Sequence, residues 1–517
     1  MKAQLIKQNL TIKALVLSLT LGMSLSAQAS SMITAEALAN QGSASAQYNL
    51  ATMYNDGDGA EQDNVKAFTW YKKAAEQGHI AAQNHLGSLY QYGLGVEQDS
   101  KKAVKWYRKA AEQGSALAQE NLASMYEMGD GVEQDDRQAA QWYQKSAEQG
   151  EPFAQYSIGV KYEEGLGVAQ DYTQAAEWYQ KAAFQGEMWA QNNLGTMYYD
   201  GTGVPQAFDE AYSWFRQSAE QGHPPAQYNL GLMYGFGQSV EQDYSTAVEW
   251  YKKAADQDSA QGQNALGWSY YKGEGVAQDY DKAYQLLQKA AIQGEAVAQN
   301  NLGVLYEEGL SVPQDYVQAM RWYKKSAEQG DVLAQTNIGA LYEAGRGVPQ
   351  DYIEAVKWYQ KSADQDNGWG QAGLGWAYYA GQGITQDYTK ALELLHKSVE
   401  QEVAIGQNNL GVLYVEGKAV PKDQAKAFEL FSKAAAQGEM LGQRNLAMMY
   451  MMGEGNIQDE QQAIKWFGIA CDNGDSMSCD WHEAVKMISD NTAAALNEAT
   501  AAIEPSAEPA AQKVSDK

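Results

Sequence analysis

The chain has little cysteine, proline, histidine or positive charge. Two cysteines among 517 residues exclude a disulfide-framed fold, and nine prolines exclude a polyproline or collagen-like one. Past the N-terminal leader no run of about 18 apolar residues occurs, so no integral membrane segment is expected in the mature chain. Acidic residues outnumber basic ones 65 to 38, for a formal net charge of −27. Such a surface repels phosphate backbones and anionic membranes, which excludes nucleic acid as a partner and leaves basic, neutral or partly apolar ones. The histidines His79, His85, His223, His396 and His482 hold unrelated positions, with no i, i+4 pair of the kind that binds zinc on a helix. They are expected to be solvated. No Ser-x-x-Lys motif, nucleophile elbow or phosphate loop stands clear of the surrounding pattern. Asp56-Gly57-Asp58-Gly59 begins like a calcium loop, but Ala60 falls where a further oxygen ligand is required. The expectation is therefore no catalytic residue, no metal and no cofactor.

What is present begins with a leader. Lys2, Lys7 and Lys13 precede a mostly apolar stretch from Ala14 to Ala27, and Ala27-Gln28-Ala29 offers small residues where a signal peptidase reads them. Residues 1–29 are expected to be a secretory signal peptide cut after Ala29, followed by an N-terminal leader or cap over 30–42. No cysteine follows the cut, so no lipid is expected there. The expected location is the periplasm, with secretion as the alternative.

The body is periodic. Ala-Gln or Gly-Gln pairs begin at 46, 82, 118, 154, 190, 226, 262, 298, 334, 370, 406 and 442, a step of 36 residues without insertion. A fixed period of this length signals a solenoid whose units bury a core only by stacking. Each unit divides into two helices. In the ninth copy Ala334, Ile338, Leu341 and Tyr342 form one apolar face, and Ala355, Trp358, Tyr359, Ser362 and Ala363 form another. The small Gly339 is expected to let the two helices approach closely. A glycine ends the first helix (A) in all twelve copies, from Gly57 to Gly453, as a left-handed C-cap. An aspartate precedes the second helix (B) in eleven, as at Asp63, Asp171, Asp315 and Asp459, where its carboxylate caps the first turn. The fifth copy has Ala207 instead, so its B helix is expected to be the least well capped.

Ala298-Gln-Asn-Asn-Leu302-Gly303-Val-Leu-Tyr306, followed by Asp315 and Ala319-Met-Arg-Trp322-Tyr323-Lys-Lys-Ser-Ala327, resembles the Sel-one-like repeat (SLR) family, relatives of tetratricopeptide repeats. The resemblance runs from about Ser43 to Trp481, through twelve copies in register. It implies an all-α fold, an α/α right-handed superhelical solenoid of about twelve 36-residue helix-turn-helix repeats with a concave face lined mainly by A helices. It also implies an adaptor role without a shared catalytic residue set. Cysteine-rich exported members reported to interact with β-lactams supply an alternative, a β-lactam- or peptidoglycan-interacting or hydrolysing envelope protein. A structural envelope or glycan-binding protein is the third reading.

Cys471 ends the twelfth B helix and Cys479 starts the next A-type helix, so antiparallel packing brings them together across the turn around Gly474. A disulfide is expected in an oxidising compartment, and cysteine-rich family members use the same spacing to clamp neighbouring helices. A redox-active pair is the alternative, disfavoured because Cys-x-x-Cys spacing is absent. The tandem repeats are expected over 43–481, with a partial C-terminal cap. Residues 482–517 are expected to be a terminal helix and a disordered Ala/Glu/Pro tail.

Partners, expected to be proteins or an envelope glycan, should meet the variable, solvent-facing positions of the A helices. One such column reads Asn55, Gln91, Glu127, Glu163, Tyr199, Gly235, Tyr271, Glu307, Glu343, Tyr379, Val415 and Met451; another, three residues earlier, contains Trp268 and Trp376. Trp268, Tyr271, Trp376, Tyr379 and Tyr199 are thus partner-binding candidates. The competing reading is packing, because these two tryptophan-bearing copies have Leu286-Leu287 and Leu394-Leu395 where the B helix usually carries Trp-Tyr. Both copies belong to a block duplicated at an offset of 108 residues: Ala255-Asp-Gln-Asp258 returns as Ala363-Asp-Gln-Asp366, and Leu266-Gly-Trp268 as Leu374-Gly-Trp376. The duplication suggests two similar docking patches. Asp258 and Asp366 replace the usual inter-repeat glycine, so both junctions are expected to bend differently.

Overall fold

Each copy folds as two short helices because its punctuation leaves no room for longer ones. All twelve A helices end on a glycine in the left-handed region, for example Gly57 at φ 73° and Gly345 at φ 67°, whose N–H returns to the last turn. Eleven B helices start at an aspartate whose carboxylate accepts first-turn N–H groups, as Asp315 does from Val317 and Gln318 at 2.9 and 3.0 Å. The fifth, Phe208–Glu220, begins at Ala207 with no side-chain cap. The ninth copy is representative, with Val332–Ala344 followed by Tyr352–Ala363.

The structure is a computed structural model that describes residues 32–503 apart from 59–60 and 456–457. The expected signal peptide, the tail past 503, and Gly59 and Ala60 of the calcium-like stretch lie outside the described residues. The chain divides into two compact units, Met1–Gln257 with repeats one to six and Asp258–Lys517 with repeats seven to twelve. Within each unit, A packs on B inside a repeat and B packs on the next A, the layering of a solenoid. The described residues contain helices and turns and no strand.

Two contacts recur along the repeats. The first is steric. A Cβ added at Gly339 would stand 2.6 Å from the Tyr359 ring, and one at Gly303 would stand 2.5 Å from the Tyr323 ring. In these copies the missing side chain admits the B-helix ring into the A helix, as expected at Gly339; the first, third and twelfth copies have Ala51, Ala123 and Ala447 there, and the seventh and tenth offer Leu287 and Leu395 in place of a ring. The second is polar and explains the Ala-Gln signature. That glutamine is buried in every copy, and its Oε1 accepts from an amide 30 residues on: Gln113 to Gln83 at 2.7 Å, Gln329 to Gln299 at 3.0 Å, and Asn473 to Gln443 at 2.8 Å. In seven copies its own amide donates to a carbonyl at the end of the preceding B helix, as to Ala75 O for Gln83 and Ala291 O for Gln299, both at 3.2 Å. A buried amide left without partners would cost about 1–3 kcal/mol, so the ladder fixes register as well as satisfying the group.

At the duplicated block the junction changes with the residue: φ falls from the 87–103° of the inter-repeat glycines to about 60°, and the preceding B helices, Tyr244–Ala255 and Tyr352–Ala363, end one residue early. Asp258 and Asp366, at φ 60° and 59°, remain in the left-handed region, as does Glu402 at φ 59°. The Asp366 carboxylate takes the ladder bond from Gln371 at 2.7 Å. At the C-terminus, Ser476–Ile503 is one 28-residue helix that runs through Trp481, where the repeat pattern fades. Cys471 and Cys479 are joined as a disulfide with Cα atoms 4.7 Å apart, which ties the last B helix to the first turn of this one.

Candidate functional site: the A-helix face

The variable A-helix column is not uniformly free. In five of the seven copies whose B helix carries tyrosine, the column residue is its hydrogen-bond acceptor: Tyr107 donates to Gln91 at 2.7 Å, Tyr143 to Glu127 at 2.8 Å, Tyr323 to Glu307 at 2.7 Å and Tyr359 to Glu343 at 2.6 Å. Tyr179 donates to Glu163 in the same way. These rings are buried, and burial holds the phenols well above their usual range, with the acceptor carboxylate adding to it for Tyr143 and Tyr323. Opposite Tyr71 and Tyr251 the column holds Asn55 and Gly235, and Tyr71 pairs with Thr52 at 3.1 Å. In five copies the B-helix residue is Phe215, Leu287, Leu395, Phe431 or Phe467, and the column residue is then Tyr199, Tyr271, Tyr379, Val415 or Met451. The polar acceptor disappears together with the hydroxyl that needs it. The sequence held this signal, but only when two columns are compared; one column taken alone reads as solvent-facing variation.

The aromatic candidates fall into place from this rule. Trp268 stacks on Tyr271 with centroids 4.5 Å apart and planes at 16°, and Trp376 meets Tyr379 at 4.8 Å and 31°. Both tryptophans are half-buried, as are both tyrosines. Tyr271 donates to Glu308 of the next repeat at 2.8 Å, and Tyr379 bonds the equivalent Glu416. Burial and then Glu416 push Tyr379 up to about 12. Each duplicated copy therefore builds the same tryptophan, tyrosine and carboxylate group. Tyr199 is different, since it packs edge-on against Phe208 at 5.4 Å and has no tryptophan three residues before it. The sequence reading had not singled out Glu308 and Glu416, which lie 37 residues beyond their tyrosines.

Charge is divided between the helices. The twelve A helices contain ten acidic and three basic residues, whereas every B helix carries at least one Lys or Arg. Two of those three A-helix cations are neutralised: Lys161 by Glu127 and Asp136 at 2.8 and 3.0 Å, Arg444 by Asp475 at 3.2 Å. Lys161 is buried where other copies place Met, Leu, Ser or Ala. Burial opposes its charge, but the two carboxylates outweigh that and its pKa is raised.

The histidines are not all solvated. His223 is 1 % exposed, with Nδ1 3.1 Å from Ser218 Oγ and its ring 4.4 Å from Trp189. Burial lowers it to about 4, so it is neutral at physiological pH. His79 caps its helix, accepting from Ala82 N–H at 3.2 Å, and His85 stacks on Tyr71; only His396 fits the solvated expectation fully. Among the described residues no three His, Cys, Asp or Glu side chains are grouped to hold a metal ion, and no helix is long and apolar enough to cross a membrane.

Paired helices at a constant period, left-handed glycine C-caps and a glutamine ladder define a tandem α/α repeat protein. The chain belongs to the Sel1 repeat family: the Sel1 repeat model matches twelve times, from 44–79 through 441–475. Among solved structures, a protective antigen present in uropathogenic Escherichia coli strains, described as displaying an SLR fold, is 33 % identical, with a TM-score of 0.62 over 94 % of this chain and 99 % of that one. A Sel1 repeat protein from Oxalobacter formigenes is also 33 % identical, with a TM-score of 0.43 over 58 % of this chain and 86 % of that one. Among curated proteins none matches.

Proposed function

We propose that this chain is an exported, non-catalytic scaffold of the bacterial cell envelope that holds protein partners on its A-helix face. Sel1 repeat proteins are generally interaction scaffolds, and one observation carries the reading here. A frame built twelve times on one plan, with a C-cap glycine and a buried glutamine in every copy, presents A-helix columns whose chemistry changes from copy to copy. Constancy beneath and variation above is what a binding surface needs. The leader, the Cys471–Cys479 disulfide and the likeness to a protective antigen support export, with the periplasm as the site of action.

The test is crosslinking of the mature protein in envelope extract of its source organism, read by mass spectrometry, with the Trp268→Ala/Trp376→Ala double variant alongside. The reading predicts one dominant protein partner that the variant loses. Capture of peptidoglycan fragments alone would favour the glycan reading, and turnover of nitrocefin by the purified chain would overturn the non-catalytic one.

A further inference from the structure

Tryptophan in this molecule is usually matched to a cation of its own. In seven B helices a lysine three residues later lies over the indole, for instance Lys73 over Trp70 at 3.8 Å, Lys253 over Trp250 at 3.4 Å and Lys361 over Trp358 at 3.9 Å. The A-helix tryptophans of the duplicated copies differ from these and from each other. Beside Trp268 stands Lys272, whose ammonium is 5.5 Å from the Trp268 ring and 6.0 Å from Tyr271. The matching place in the tenth repeat is Ala380. Trp376, Tyr379 and Glu416 thus repeat an arrangement that holds an ammonium in the seventh repeat, but without the lysine. Trp369, seven residues earlier on the same helix and 49 % exposed, extends the aromatic stripe toward the helix start.

We propose that Trp376, Tyr379 and Glu416 form a receptor for a basic side chain, lysine or arginine, of the partner protein, and that Lys272 fills the corresponding receptor of the seventh repeat from within. The aromatic faces attract the cation through their quadrupoles. Glu416, exposed and engaged with the Tyr379 hydroxyl, supplies the carboxylate. The A helices hold ten acidic residues against three basic ones, all three already engaged, so an incoming cation meets no free positive charge on them. This inference rests on the scaffold reading and adds the chemistry of the partner. It also makes the two halves of the duplication unequal, one occupied and one open.

The experiment uses the full mature chain and a fluorescein-labelled peptide of alternating glycine and arginine, followed by anisotropy at fixed salt. Trp376→Ala is expected to weaken binding about fivefold. Ala380→Lys, which recreates the seventh-repeat arrangement, should weaken it comparably, whereas Ala344→Lys should have a clearly smaller effect. That last variant adds the same charge at the same helix position one repeat earlier, where the tryptophan column carries Ala340. Lys272→Ala is expected to strengthen binding by opening the first receptor. An excess of tetramethylammonium chloride over sodium chloride at matched ionic strength should compete. Equal effects of Ala380→Lys and Ala344→Lys, with Trp376→Ala inert, would reduce the binding to general charge attraction and overturn the receptor. A partner captured from envelope extract and retained by Ala380→Lys would overturn it too, while leaving the scaffold reading standing.

Discussion

The eighth and ninth repeats and the seventh and tenth repeats solve one packing problem in opposite ways. In the former, a B-helix tyrosine enters the A helix beneath a glycine and hands its hydroxyl to Glu307 or Glu343. In the latter, the B helix offers only Leu287 or Leu395, and the tyrosine sits on the A helix, where its hydroxyl reaches Glu308 or Glu416 of the following repeat. The polar bond within a repeat becomes a bond between repeats, and the aromatic surface moves outward. A conservative change at a core position is thereby coupled to what the A-helix face can bind.

The comparison can be broken most forcefully at the glycines. Gly303→Ala places a Cβ 2.5 Å from the rigid Tyr323 ring and is expected to cost about 1–3 kcal/mol. Gly267→Ala meets the flexible Leu287 at 3.0 Å and gains helix propensity, so its net effect should lie within about 1 kcal/mol of zero. Urea denaturation of both variants checks the difference; equal losses would mean that ring rigidity does not separate the two solutions.

Alkaline titration sharpens the same contrast. Burial raises the B-helix tyrosines, Tyr71 to about 12 and Tyr323 further. A phenol whose folded pKa is raised contributes stability that is complete below its unfolded value of about 10 and is lost as pH rises through the folded value. Stability should therefore be flat up to about pH 10 and fall above it. Tyr323→Phe should reduce that fall, at the cost of about 1 kcal/mol at neutral pH from the lost bond to Glu307.

Two smaller effects test the frame itself. Ala207→Asp should add about 1 kcal/mol by capping the fifth B helix, somewhat less because Asp209 and Glu210 already charge that turn. The Ala419→Gly change removes a non-glycine residue from φ 57° and should raise the melting temperature by a similar or smaller amount. Calorimetry reads both.

Sequence periodicity was enough for the repeat boundaries, the caps, the close glycine contact and the meeting of Cys471 with Cys479, because each rests on local backbone preference or on spacing. The reason for the Ala-Gln signature was not legible, since the partner amide lies 30 residues away. The variable column was only partly legible: Glu127, Glu163, Glu307 and Glu343 read as free surface, yet each serves a buried tyrosine. His223 escaped for a related reason. Its burial comes from Trp189, one repeat back, which no pattern around Gly222 announces. Lys161 did leave a mark, a charge inside an apolar column, but its two carboxylates sit in the preceding repeat.

The account's central claim is that partners engage the A helices. A photo-activated benzoylphenylalanine placed in turn at Ala344 and Val415 on A helices, and at Lys324 and Lys361 on B helices, tests it directly in living cells. The account predicts one and the same protein captured from the A-helix positions and little from the B-helix ones. Capture of that protein from Lys324 and Lys361 instead would contradict it.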